Sequence, residues 1–220
     1  ACCCQPMNGA ISRFVQVGGG AADLRQGNLG SLRALLAGWT RGPALTAMLD
    51  ARLEAANQHT LLTCAAGHGQ ADAVRLLLES GASVGATTGR GSTALAIACQ
   101  EGQLECVRLL LGAGAAVDQA KNDGTTPLSA ASQAGQIDCV RLMITAGAAV
   151  NQADTDGFTP LLVACQEGHL VIARLLLGAS AAVNQVKGGG ATPLFMACQK
   201  GRLEIVQLLL EADAAVEQAK

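Results

Sequence analysis

Apolar side chains recur along this chain at a fixed interval. Leu62, Leu95, Leu128, Leu161 and Leu194 keep a constant period of 33, and Gly69, Gly102, Gly135, Gly168 and Gly201 keep the same one. Self-similarity of this kind marks tandem structural units. Five of them run from Ala55 to the end, over residues 55–87, 88–120, 121–153, 154–186 and 187–220. In each, Thr60, Thr93, Thr126, Thr159 or Thr192 stands where an N-cap hydroxyl accepts from unpaired backbone N–H groups, and Pro127, Pro160 and Pro193 follow at the first helical position. The pattern predicts a short helix from there to the repeating Gly. A second apolar run, such as LECVRLLL at Leu104 to Leu111, has the i, i+3, i+4 spacing of another helix. It should stop at Gly81, Gly114 and Gly147 in the left-handed conformation, with Ser180 and Asp213 as poorer substitutes. A Val then leads into NQ or DQ and an exposed turn ending in Gly91, Gly124, Gly157 or Gly190.

The N-terminal part is less regular. LRQGNLGSLRALLAGW (Leu24 to Trp39) matches the end of a first helix and all of a second, but the interval from Gly27 to Gly69 exceeds the period by nine. Pro43 and ALTAMLDARLEAA (Ala44 to Ala56) read as an inserted helix in place of the exposed turn. Residues 21–54 are thus a degenerate unit, and residues 1–20, with the triple Gly18 to Gly20, a loose entry segment.

Laid out in this way, DGTTPLSAASQAGQIDCVRLMITAGAAVN (Asp123 to Asn151) and DGFTPLLVACQEGHLVIARLLLGASAAVN (Asp156 to Asn184) closely resemble the ankyrin-repeat family. The resemblance covers Ala55 to Lys220. It implies an all-α solenoid of stacked helix-turn-helix units joined by exposed β-turn loops. One departure is systematic: the family's usual His after Thr-Pro-Leu is replaced by Thr63, Ala96, Ser129, Leu162 and Phe195, which removes a side-chain hydrogen bond inside each unit.

Composition narrows the function. Half of the residues are apolar, yet there are only one Trp, three Phe and no Tyr, so the core is aliphatic. A net charge of -2 with interspersed signs offers no basic stripe for phosphate backbones and no aromatic ladder for single strands, which argues against a nucleic-acid partner. No apolar run approaches the roughly 18 residues of a membrane span. Without a secretory signal pattern at Ala1, an intracellular location, cytoplasmic or nuclear, is expected.

ACQEG at Ala98 and Ala164 and ACQKG at Ala197 raise the question of reactive thiols. Cys99, Cys165 and Cys198 share a position with Ala66 and Ser132. Cys106 and Cys139 alternate with Ala73, Ile172 and Ile205, and Cys64 with Ile97, Ala130, Val163 and Met196. The common property is small size or core character, so all six are expected as buried thiols. Helices stacked about 8–10 Å apart are too distant for a ladder of disulfides, which need Cα atoms within about 7 Å. Cys2, Cys3 and Cys4 lie in the entry segment, where metal binding, acylation or no role are all open.

His59, Cys64 and His68 have a spacing that zinc can use, but only three ligands converge and Cys64 belongs to the core. Asp72 with Arg75, Glu105 with Arg108 and Asp138 with Arg141 read as solvated i, i+3 pairs. Gly188 to Gly190 lack the following Lys-Ser or Lys-Thr of a phosphate loop. No cofactor, metal or catalytic residue is expected.

The working surface implied by the resemblance is the concave strip of turns and first helices. It comprises Asn57, His59 and His68; Arg90, Ser92, Gln100 and Glu101; Asn122, Asp123, Thr125 and Gln133; Thr155, Asp156, Phe158, Gln166 and Glu167; and Gln199 and Lys200. Phe158 and Arg90 are the expected anchors, because binding hot spots favour large side chains, and Phe158 is equally readable as a turn residue packed on its neighbour. The last unit keeps Leu203, Val206, Leu209 and Val216 in the internal pattern rather than a polar outer face, which suggests a monomeric segment of a longer array. The sequence therefore reads as a non-catalytic scaffold or adaptor for an unidentified protein, or as the recognition arm of a larger kinase- or ubiquitin-ligase-type enzyme.

Overall fold

The computed structural model describes residues 29–37, 42–50 and 58–214. Within these lie twelve helices: α1 (Gly30–Ala37), α2 (Pro43–Leu49), α3 (Leu61–Gly67), α4 (Ala71–Glu79), α5 (Ala94–Gln100), α6 (Leu104–Gly112), α7 (Pro127–Gln133), α8 (Ile137–Thr145), α9 (Pro160–Glu167), α10 (Leu170–Gly178), α11 (Pro193–Gln199) and α12 (Leu203–Glu211). Among the described residues β-pairing is confined to a single antiparallel bridge, Thr87 with Thr93. The fold is all-α, as the repeat implied.

Each first helix begins as its residues dictate. The Thr hydroxyls at positions 60, 93, 126, 159 and 192 accept from the backbone N–H three residues on, at 3.1–3.3 Å. The Thr that replaces the family's His in the first repeat completes this cap: Thr63 Oγ1 accepts from Thr60 N at 2.8 Å, so two otherwise unpaired donors are satisfied reciprocally. Both expected substitutes at the second-helix ends adopt the left-handed conformation, Ser180 at φ 66° and Asp213 at φ 60°.

The chain divides into two compact units. The first contains the residues up to Ala98 together with Gln103–Ala116. Here α3 packs against α4 and α4 against α6, around Leu61, Leu62, Val74, Leu77, Val107 and Leu110, all buried. Leu32 of α1 and Leu45, Met48 and Leu49 of α2 are buried as well. The predicted inserted helix is observed as the seven residues of α2, closed by Asp50; its predicted continuation through residues 51–57, like the entry segment, lies outside the described residues. Asp50 reaches the next hairpin, accepting from Ser83 N at 2.9 Å. Burial pushes the Asp50 carboxyl above its ordinary value, and that hydrogen bond opposes the shift.

The second unit contains Cys99–Gly102 and the chain from Val117 onward. Its first helices α7, α9 and α11 form one layer and its second helices α8, α10 and α12 another, each hairpin packing on the next. The DQ and NQ motifs tie consecutive repeats. Asp118 Oδ1 accepts from Ala149 N at 2.9 Å, and Asn151 Oδ1 from Ala182 N at 2.7 Å.

A second set of ties explains the repeating Gly. Gly69, Gly102, Gly135, Gly168 and Gly201 have φ of 67–91°. At each of the first four, a Cβ would collide with the side chain that follows the equivalent Gly of the next repeat: Gln103, Gln136, His169 and Arg202 respectively. These side chains cover the C-terminal end of the preceding first helix, where carbonyls lack intrahelical donors. Gln136 Nε2 donates to Gln100 O at 3.4 Å, and His169 Nε2 lies 3.1 Å from Gln133 O.

Candidate functional site

Among the described residues the exposed turns between repeats are four hairpin tips of five residues each. In each the first residue's N–H donates to the fifth residue's carbonyl, closing Thr88–Ser92, Lys121–Thr125, Asp154–Phe158 and Lys187–Ala191 at 2.9–3.0 Å. Each tip's turn Gly donates to the first residue's carbonyl. Three of the tips belong to the second unit and are joined there. Thr155 N and Oγ1 both donate to Asp123 O, at 3.0 and 2.9 Å, and Gly188 N donates to Asp156 O at 3.3 Å. The joins need Gly at positions 124 and 157, where a Cβ would stand 2.9 and 2.8 Å from the next tip's backbone nitrogen.

Acidic side chains lock these tips. Asp123 Oδ1 accepts from Thr125 N at 2.9 Å, while Asp154 Oδ1 accepts from Asp156 N at 3.0 Å and Phe158 N at 2.8 Å. Partial burial raises the Asp123 pKa, but the Thr125 hydrogen bonds and nearby Lys121 outweigh it, so the carboxyl lies below its ordinary value.

Phe158 is half-buried. Lys187 Nζ lies 4.3 Å from its ring centroid, a cation-π distance. The turn-packing alternative read from sequence therefore describes one face of this ring. A shallow depression here is lined by Asp154, Thr155, Asp156, Gly157, Phe158, Lys187 and Gly188.

The ends of the first helices add amides and charges. Gln100, Gln133 and Gln199 are exposed and Gln166 is half-buried. Gln100 and Gln166 donate to the adjacent Glu101 and Glu167 at 3.2 and 2.9 Å, and Lys121 Nζ donates to Gln100 Oε1 at 3.2 Å. Asn122, Asp123, Thr155, Asp156 and Lys200 are exposed and Thr125 half-buried. In the first unit Arg90 is exposed at its tip, whereas Ser92 is buried and corrects the expectation of an accessible residue: it closes the tip by donating its backbone N–H to Thr88 Oγ1 at 3.1 Å. Asn57 lies outside the described residues.

His68 caps α3, with Nδ1 2.9 Å from Cys64 O and 4.0 Å from Cys64 Sγ. His59 is half-buried, with Nδ1 shielded and without a hydrogen-bond partner among the described residues. Burial, reinforced by His68, pulls its pKa below the ordinary value. Among the described residues no three His, Cys, Asp or Glu side chains gather as a metal site requires.

Cys64, Cys99, Cys106, Cys139 and Cys165 are buried and in no disulfide, whereas Cys198 is exposed, against the expectation for all six. Burial pushes the Cys99, Cys106, Cys139 and Cys165 thiols up, Cys106 to about 11 and Cys165 to about 12, which keeps these four protonated and poorly nucleophilic. Sequence reasoning missed Lys121, Asp154 and Lys187. Their signal was their shared position, the first residue of successive tips.

Among the described residues no helix is long and apolar enough to cross a membrane. A family model for ankyrin repeats, described as three copies, matches residues 21–120, 62–154, 113–187 and 145–219. No curated protein matches the chain.

Proposed function

Because this chain belongs to the ankyrin-repeat family, whose repeats are general protein-interaction modules and typically non-catalytic, we propose that it is a scaffold or adaptor holding a partner protein on its hairpin tips and first-helix ends. The observation that carries this reading is the bonding of tip to tip in the second unit through Asp123 O and Asp156 O. Tips fastened in this way lose little backbone conformational entropy on binding, which favours recognition. Phe158 and Arg90 are the anchors, each within its own unit. The amides of Gln133 and Gln199 and the charges of Asp123, Asp156, Glu167 and Lys200 supply the surrounding polar contacts.

The test is capture of binding proteins from lysate by the full chain beside two variants checked by circular dichroism. In the first, Arg90 and Phe158 are changed to Ala; in the second, Arg141 and Arg174, exposed on the second helices, are changed. Loss of a hot spot of about 2 kcal/mol weakens binding roughly 30-fold. A partner lost only from the first variant supports the tip surface. Equal capture by the wild type and the first variant refutes it.

A further inference from the structure

The four tips close alike but differ in what holds their last N–H. Ser92 N donates to Thr88 Oγ1 at 3.1 Å, Thr125 N to Asp123 Oδ1 at 2.9 Å and Phe158 N to Asp154 Oδ1 at 2.8 Å. Each time a side-chain oxygen from the first or third residue of the tip accepts. In Lys187–Ala191 those residues are Lys187 and Gly189, and neither carries a side-chain acceptor. Among the described residues Ala191 N has no hydrogen-bond partner, although the closing bonds from Lys187 N to Ala191 O and from Gly190 N to Lys187 O are those of the other tips.

The tip at residues 121–125 shows which group suits this position. It also begins with Lys, and its third residue, Asp123, sets a carboxylate against the fifth N–H. Against partial burial, the Thr125 hydrogen bonds and Lys121 hold that carboxyl below its ordinary pKa. The last tip keeps the Lys and the N–H but has Gly189 in place of the Asp. Gly189 has φ 93°, and a Cβ there would meet nothing within 4 Å. The space beside it is open, while its left-handed backbone disfavours a side chain of the tip's own. Lys187 Nζ rests 4.3 Å from the Phe158 ring centroid and makes no ion pair among the described residues, so its charge is not neutralised.

Resting on the tip-surface reading above, we propose that the tip Lys187–Ala191 receives an Asp or Glu side chain of the partner protein. One carboxylate oxygen accepts from Ala191 N, as Asp123 Oδ1 accepts from Thr125 N, and Lys187 balances the charge. Hydrogen bonds from a backbone N–H to an ionised oxygen are the stronger kind, and turn N–H groups form anion sites in this way. Asp154 and Asp156 line the neighbouring depression and repel an anion that stays there. An acidic group is therefore held where it reaches Ala191 N, so the hydrogen bond and Lys187 act together.

The test is a titration of the full chain with potassium acetate, against potassium chloride at equal ionic strength, followed by amide NMR. The Ala191 amide proton moves downfield and saturates with acetate, while that of Thr125, already bonded to Asp123, stays in place. Lys187→Gln weakens the response by roughly two- to fivefold, the worth of an exposed ion pair. Lys187→Asp supplies a carboxylate from the position that Asp154 holds in the preceding tip, so its Ala191 proton starts downfield and no longer responds. Equal shifts of Ala191 and Thr125, or an unchanged response in Lys187→Gln, overturn the proposal. A response to methyl phosphate without one to acetate assigns the site to a phosphorylated partner and overturns it as well. Because acetate stands in for the partner's side chain, these failures leave the tip-surface reading intact. In the lysate capture, a partner lost on changing Arg90 and Phe158 is also weakened by Lys187→Asp; full retention by that variant overturns the acidic contact alone.

Discussion

Replacing Gly135 by Ala tests whether the repeating Gly serves the next repeat as well as its own turn. Gly135 has φ 75°, and Ala in that left-handed region costs about 1–2 kcal/mol. Its Cβ would also stand 2.8 Å from His169 Cε1 and 3.1 Å from Nε2. The ring must therefore move from its place 3.1 Å from the Gln133 carbonyl, forfeiting a hydrogen bond of about 0.5–1.5 kcal/mol. Ala restricts the unfolded chain more than Gly does and returns about 0.4–1 kcal/mol, leaving a net destabilisation of about 0.5–3 kcal/mol. His169→Ala alone forfeits only the hydrogen bond. In the double variant the collision is gone, so its cost falls short of the sum of the singles by about 0.5–1.5 kcal/mol. Urea unfolding followed by circular dichroism gives the three values, provided that the slopes with denaturant agree. Additivity within about 0.3 kcal/mol refutes the packing of His169 on Gly135. A neutral Gly135→Ala refutes the backbone reasoning too.

Thr159→Ala removes the hydroxyl that accepts from Leu162 N and costs about 1 kcal/mol in the same assay, while Thr159→Ser stays near wild type; equal losses would place the effect in the methyl group instead. Cys165, raised from 9.0 to about 12, is protonated in the fold and ionises more readily when unfolded. Its contribution to stability is full below pH 9 and declines as pH rises from about 9 toward 12. Urea midpoints across that window should fall less steeply for Cys165→Ala than for wild type, and identical slopes would rule out this thiol as a source of alkaline sensitivity.

Much of the architecture was legible because its determinants are local. A Thr hydroxyl bonds three residues ahead, and Ser180 and Asp213 occupy left-handed conformations because each ends a helix where Gly stands in the other repeats. The common period carries those short-range rules along the chain. Most candidate tip residues could be placed in the same way, since a β-turn displays its middle residues wherever it occurs. Other features depend on neighbours a full repeat away. ACQ reads alike at Cys165 and Cys198, but one thiol is buried and the other exposed. Lys187 lies over Phe158, and Gln136, His169 and Arg202 cover glycines in the preceding repeat. Local sequence settles which backbone conformation a residue can hold, because those constraints span a few bonds. Burial and side-chain pairing belong to the space between hairpins, and only the stacked structure decides what fills it.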